Sequence, residues 1–168
     1  NKPFNEWLQI AKEVKVICDA FQTTLIINDN VKIAKTINAD GVHLGKNDIS
    51  IIEARNILGN NRIVGGTANT IEDVIQLEKD GVNYIGLGPY KFTNTKQKLN
   101  PILGLDGYLQ IIKSPNHQIK IPIIAIGGIQ LEDVKPLINT GAFGIAVSSA
   151  INLADNKDEV IKEFLSLV

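Results

Sequence analysis

Strand-like and helix-like stretches alternate without exception along this chain, and that alternation leaves few folds open. Phe4, Trp7, Leu8, Ala11, Val14, Cys18 and Phe21 recur at three- and four-residue spacing after Pro3, marking one face of an opening helix. A β-branched and apolar run over Thr24–Ile27 predicts a strand, and a helix follows from about Val31 to Ile37. Further strands are predicted over Gly41–Leu44, Arg62–Gly65, Val82–Leu87, Ile121–Ile126 and Phe143–Val147. Between and after them, helices are predicted over Ser50–Leu58, from the Thr70 cap to Lys79, and over Leu105–Lys113, Glu132–Asn139 and Asp155–Leu167. Strict alternation favours parallel strands covered by helices, in a doubly wound sheet or a (β/α)₈ barrel. A faint repeat agrees: Ala39-Asp-Gly-Val-His-Leu-Gly45, Asp80-Gly-Val-Asn-Tyr-Ile-Gly86 and Thr140-Gly-Ala-Phe-Gly-Ile-Ala-Val147 each set a glycine just before a strand.

In a barrel every strand's C-terminal end faces one mouth, where the site is built. The residues expected there are Asn28 and Asp29, His43 to Asp48, Gly66 and Thr67, Gly88 to Lys96, Gly127 and Gly128, and Ser148 and Ser149. Nearly all are polar or glycine, although the strands leading to them are apolar. The stretch after Gly88-Pro89 is the longest of these ends. It carries Thr93, Thr95 and Lys96 and shows no apolar period until Leu103, a loop of about fifteen residues. Two hydroxyls and an ammonium suit a phosphorylated ligand, whose oxygens accept hydrogen bonds and whose charge needs neutralising. Taken alone, the same residues read as a solvated polar loop.

Composition excludes several classes. Seventeen basic against eighteen acidic residues leave a formal charge of −1, which gives no support to nucleic-acid or anionic-membrane binding. No apolar run approaches membrane-spanning length, and no signal-peptide pattern opens the chain. Cys18 is the only cysteine, so an intrachain disulfide and a cysteine-based zinc cluster are both excluded, and a reducing, cytoplasmic setting is expected. Cys18 itself reads as a small core residue. Nothing in the sequence decides between a monomer and a homo-oligomer.

Chemistry can be assigned from the strand ends. Asp29 and Asp48 follow successive strands, so their carboxylates are expected to be neighbours, and two hard oxygen ligands suit Mg²⁺. Helix capping is the alternative for both. Gly127-Gly128 and Ser148-Ser149 fit a phosphate site built from backbone N–H groups and a helix N-terminus, with plain turn chemistry as the alternative. His43 alternates with Val42 and Leu44 and reads as a buried, hydrogen-bonded histidine; His117 reads as solvated.

Several motifs occur here in a fixed order. They are Asn28-Asp29 after an Ile-Ile strand, Ala39-Asp-Gly-Val-His-Leu-Gly45 with Asp48, Gly86-Leu-Gly-Pro89 with Thr93-x-Thr95-Lys96, Ala125-Ile-Gly-Gly-Ile129, and Ala146-Val-Ser-Ser-Ala-Ile151. From Thr24 to Ile151 the chain resembles the thiamine phosphate synthase family of (β/α)₈ enzymes, and the Thr-x-Thr-Lys loop is the most specific part of the likeness. That family joins a hydroxymethylpyrimidine diphosphate to a thiazole phosphate and releases pyrophosphate. The resemblance implies a transferase in which Asp29 and Asp48 hold Mg²⁺ on the diphosphate and Lys96 neutralises it. It further implies that Asn28 and Thr67 face the pyrimidine, and that Thr93, Thr95, Gly128, Ser148 and Ser149 bind the thiazole phosphate. By the same likeness residues 1–168 form one barrel domain whose first two strands, with a Gln-x-Arg-x-Lys motif, lie outside this chain. Two positions depart from the family pattern: Asn30 stands where arginine is frequent, and Thr67-Ala-Asn69-Thr70 replaces Ser-x-His-Thr. Two other functions compete, a thiazole tautomerase-like isomerase and a non-catalytic ligand-binding barrel. Asn69 and Lys96 speak against the isomerase, which resembles the synthase but uses a histidine near position 69 and lacks the Thr-x-Thr-Lys loop.

Overall fold

The computed structural model describes residues 3–93 and 100–168. They fall into two compact units, Asn1–Gly66 with Asp80–Asn83, and Thr67–Lys79 with Tyr84–Val168.

The first unit carries α1 (Phe4–Ala20), β1 (Ile26–Asn28), α2 (Val31–Thr36), β2 (Gly41–Leu44), α3 (Ile51–Leu58) and the start of β3 (Ile63–Ala68). β1 pairs parallel to β2 with Asn28 opposite His43, and β2 pairs parallel to β3 with Gly41 opposite Ile63. Gly41 is required there, since a Cβ would stand 2.2 Å from the Ile63 carbonyl oxygen. Val42, Leu44 and Val64 from the strands meet Val31, Ile33, Ala34, Ile51 and Ala54 from the helices in the core. Ser50 opens α3 with a capping box: its Oγ accepts the Glu53 N–H at 3.2 Å while the Glu53 carboxylate accepts the Ser50 N–H at 3.1 Å. Arg55, leaving α3, donates to the carbonyls of Arg62 (2.5 Å) and Gly81 (3.1 Å) and to Asn83 Oδ1, which also accepts the Val64 N–H at 2.8 Å.

Burial of α1 departs from expectation. Its apolar stripe predicts a core-facing helix, yet only Ala11 is buried, Phe4 and Trp7 are 46% and 47% exposed, and Cys18 is half-buried rather than in the core. α1 has 17 residues and packs against α2, which has 6. At about 1.5 Å per residue the shorter helix covers only a third of the longer one.

The second unit holds the end of β3, α4 (Ile71–Asp80, all but its last residue), β4 (Tyr84–Leu87), α5 (Gly104–Ile112), β5 (Ile123–Ile126), a 3₁₀ turn (Leu131–Asp133), α6 (Val134–Asn139), β6 (Gly144–Ala146), α7 (Ser149–Asn152) and α8 (Lys157–Leu167). β4 and β5 pair parallel with Leu87 opposite Ala125, and β5 and β6 with Ile126 opposite Ala146. Ile85, Leu87, Ile123 and Ala125 pack with Val74, Tyr108, Val134 and Leu137 in a second core. Tyr108 is the largest fully buried side chain, and its hydroxyl joins two strand ends by donating to the Leu87 carbonyl and accepting the Ile126 N–H at 3.3 Å. Burial pushes that hydroxyl well above its ordinary 10, so it remains a donor.

Six strands in the order β1 to β6 make one sheet, and every pairing described above is parallel. The expected alternation is therefore present, but with six strands in the described residues rather than the eight of a complete barrel. β2 has its expected limits, the other elements shift by one to three residues, and β3 extends furthest beyond its expected end. It runs to Ala68, so Thr67 lies inside a strand rather than beyond it. The four-residue α7 has no counterpart in the sequence pattern. No helix of the described residues is long and apolar enough to cross a membrane.

His117 corrects another expectation. It is not solvated but pairs with Glu78, whose other oxygen accepts the Lys120 N–H at 2.7 Å. Burial pushes the Glu78 carboxyl up, but the hydrogen bonds from Lys120 and His117 and the charge of His117 outweigh it and hold the group below its ordinary 4.5. A depressed carboxyl contributes stability in full above its unfolded value and loses it as pH falls through the folded one. Chemical denaturation at a series of pH values should therefore show Glu78→Gln less stable than the parent at neutral pH, with the difference shrinking as pH falls below the carboxyl's ordinary 4.5. Tyr108→Phe should cost about 1–2 kcal/mol through its lost hydrogen bonds, lowering the thermal midpoint by roughly 2–8 °C in a chain of this size.

Candidate active site

In the first unit the chemistry gathers where β1 and β2 end. Asn28 closes β1 and is exposed. Asp29 follows with a φ of 61°, and its N–H donates to the His43 carbonyl of β2 at 2.8 Å. A residue with a Cβ pays about 1 kcal/mol or more in this left-handed region, a strain that collects at functional sites. Helix capping does not account for Asp29, because Asn30 is the cap of α2 and its Oδ1 accepts the Ile33 N–H at 3.0 Å. Nor does it account for Asp48, since Ser50 caps α3. Asp48 instead closes its own turn, Oδ2 accepting the Gly45 N–H at 2.7 Å while its N–H donates to the Gly45 carbonyl at 3.2 Å. His43 is half-buried between Val42 and Leu44.

Two exposed carboxylates thus follow the ends of paired strands in one unit, joined through the Asp29–His43 backbone bond. Among the described residues no group of three or more His, Cys, Asp or Glu could enclose a metal ion. The donor set fits Mg²⁺, which keeps several waters and takes one or two carboxylates together with phosphate oxygens.

In the second unit the loop after β4 lies on the turn after β5. Tyr90 and Lys91 donate their N–H groups to the carbonyls of Ile126 and Gly127, both at 2.9 Å, and Leu103 and Gly104 return to the carbonyls of Pro89 and Tyr90 at 2.9 and 3.0 Å. The approach tolerates only glycine. A Cβ on Gly88 would stand 2.2 Å from the Ile126 oxygen, one on Gly127 2.7 Å from Pro89 Cα, and one on Gly128 2.6 Å from the Phe92 oxygen. Gly127 and Gly128 also hold φ values of 101° and 68°. Thr93 is half-buried just beyond this seam; Thr95 and Lys96 lie outside the described residues. Thr67 is half-buried in β3. Ser148 is exposed and precedes α7, which begins at Ser149, and the Ser148 Oγ accepts from Asn152 Nδ2 at 3.3 Å. Hydroxyls and side-chain-free backbone are the donors a phosphate requires.

Asn69 has a structural role. It is buried and donates through Nδ2 to the carbonyls of Gly88 (3.0 Å) and Pro101 (2.9 Å), tying both ends of the long loop to the end of β3. Sequence reasoning missed the group beside the seam. Lys91 Nζ reaches both carboxylate oxygens of the buried Asp133, at 2.6 and 2.8 Å, and stands 5.5 Å from the centre of the Tyr90 ring. The hydrogen bond to Asp133 raises the Lys91 ammonium above its ordinary 10.5, and burial followed by the Asp133 charge raises the Tyr90 hydroxyl above 10. The available signal was Gln130 three residues before Asp133, at the start of a helical pattern.

The chain also resembles known proteins. A family model for thiamine monophosphate synthase matches residues 1–151. The chain is 54% identical over 155 residues to a thiamine-phosphate synthase of Flavobacterium johnsoniae, covering 92% of this chain and 73% of that protein. It is 46% identical over 159 residues to one of Bacteroides fragilis, covering 94% and 78%. The solved thiamine phosphate pyrophosphorylase of Pyrococcus furiosus superposes with a TM-score of 0.87 at 31% identity, covering 99% of this chain and 78% of that one. A 3-hexulose-6-phosphate synthase, at 15% identity and a TM-score of 0.69, shares the fold alone. The strand-end motifs, the glycine seam and these matches together place the chain in the thiamine monophosphate synthase family.

Proposed function

We propose that this chain is a thiamine-phosphate synthase, transferring the hydroxymethylpyrimidine group from its diphosphate to a thiazole phosphate with release of pyrophosphate. The observation that carries the reading is the family match over residues 1–151, within which the strand-end residues suit two phosphorylated substrates. Asp29 and Asp48 would hold Mg²⁺, which supplies positive charge against the diphosphate oxygens when bound. Lys96 neutralises the same group, and Asn28 and Thr67 orient the pyrimidine. Thr93, Thr95, Gly128, Ser148 and Ser149 hold the thiazole phosphate, so the ring nitrogen is delivered to the pyrimidine methylene carbon. The C–O bond to the diphosphate breaks as the C–N bond forms, and the aminopyrimidine stabilises its own developing cation. No protein nucleophile or general base is required, and none is assigned. Nothing at position 69 supports isomerase chemistry: Asn69 is not titratable, and its amide nitrogen is engaged by two carbonyls.

Asp48→Ala, assayed by pyrophosphate release with both substrates, should raise the Mg²⁺ requirement sharply while circular dichroism shows an intact fold. An unchanged Mg²⁺ dependence in the folded variant would remove the paired-carboxylate site. Lys96→Ala should lower kcat/KM for the pyrimidine diphosphate by roughly 30- to 1000-fold, the equivalent of about 2–4 kcal/mol of charge stabilisation. Calorimetry should show thiazole phosphate binding affected far less. Wild-type turnover by the variant would take Lys96 out of the site, and absence of turnover by the parent would favour a ligand-binding barrel.

A further inference from the structure

The Lys91–Asp133 pair lies beside the seam yet has no part in the chemistry above. Asp133 has 7% of its side-chain surface exposed, and both of its oxygens are engaged by Lys91 Nζ. Oδ2 also accepts the Gln130 N–H at 3.0 Å, so the carboxylate is fixed to the turn that follows Gly128. Lys91 is held at two points of one residue. Its N–H is bonded to the Gly127 carbonyl, and its ammonium to a group six residues further on. The Tyr90 and Lys91 N–H bonds fix the backbone up to Lys91; the attachment through the Lys91 side chain adds a restraint at the last of these bonds, where the chain departs from the seam. The segment so fixed leads through Phe92 to Thr93.

We propose that Lys91 and Asp133 are positioning residues, whose ion pair sets the orientation of Thr93 against the Gly127–Gly128 turn and thereby the affinity for the phosphate of the acceptor substrate. The proposal rests on the transferase reading for the identity of that phosphate. A charged pair in place of an apolar one gains little stability once desolvation is counted, but its geometry is directional. Removing either partner leaves the other without its counter-charge, and for Asp133 that charge is buried.

Lys91→Ala, Asp133→Asn and the double variant, made in the full chain, test this. Each single change should raise KM for thiazole phosphate on the order of 10- to 100-fold, with KM for the pyrimidine diphosphate within about twofold. The double variant should be no worse than the weaker single one, since both remove the same restraint. Lys91→Arg, which keeps the charge, should recover most of the affinity. Hydrogen exchange at the Tyr90 and Lys91 amides, measured without ligand, should accelerate in both single variants while the amides of β4 and β5 stay protected. The proposal is overturned if Asp133→Asn binds thiazole phosphate normally while Lys91→Ala does not, which would make Lys91 a direct phosphate ligand. It is equally overturned if both substrates and the thermal midpoint suffer alike, or if exchange is unchanged. Titration calorimetry of thiazole phosphate and the exchange measurement need no turnover. An inactive parent that binds the phosphate and shows the faster exchange therefore overturns the transferase reading and supports the clamp.

Discussion

The close approach of the loop after β4 to the turn after β5 is the constraint on which the second unit's site depends. Three glycines permit it, and at each a Cβ would stand 2.7 Å or less from backbone, within the range where something must move. Two backbone hydrogen bonds then fix the two segments together, and two more close the loop on itself. Tyr108 supports the seam from the core, holding Leu87 and Ile126, the last residues of β4 and β5. Asn69 ties the loop's ends, and the Lys91–Asp133 pair fixes its direction. All but the Lys91–Asp133 pair are contacts to backbone, and all of the hydrogen bonds among them are directional.

The first unit solves a different problem with different means. Its strand ends are followed by acidic residues, and negative charge at the end of a strand is ordinarily absorbed by the next helix's N-terminus. Here Asn30 and Ser50 take the capping positions, so neither aspartate is used that way. Asp29 is held instead by its left-handed backbone and Asp48 by a turn it closes itself. The capping role and the acidic residue are thus divided between different positions at both strand ends.

Much of this was legible in the sequence, and the reasons are local. Period-two and period-3.6 patterns located the six strands and seven of the eight α-helices of the described residues, because those patterns report which face a residue buries. Asp29 and the Gly127-Gly128 turn stand where expected because they follow apolar strands directly, and Asp48 lies in the turn after β2. What was not legible depends on partners distant in sequence. His117 looked solvated because Glu78, its partner, lies 39 residues earlier. The Lys91–Asp133 pair spans 42 residues and the Asn69–Pro101 bond 32. The α1 stripe was read correctly as apolar, but a stripe states only what a helix could bury. Ser148 and Ser149 were found as a polar pair, whereas the short α7 was not, since four residues carry too little periodicity.

Strand order offers a last consequence, for how the chain reaches its fold. Each strand lies beside the strand that follows it in sequence, from β1 through β6. Forming any one neighbour pair therefore closes a loop of about one βα unit, and loop-closure entropy rises only with the logarithm of that length. Among the described strands, no pairing between neighbours requires residues from opposite ends of the sequence to meet. A sheet of this kind can grow by adding one unit to an existing edge, and the search for each new strand's partner starts from the strand just laid down.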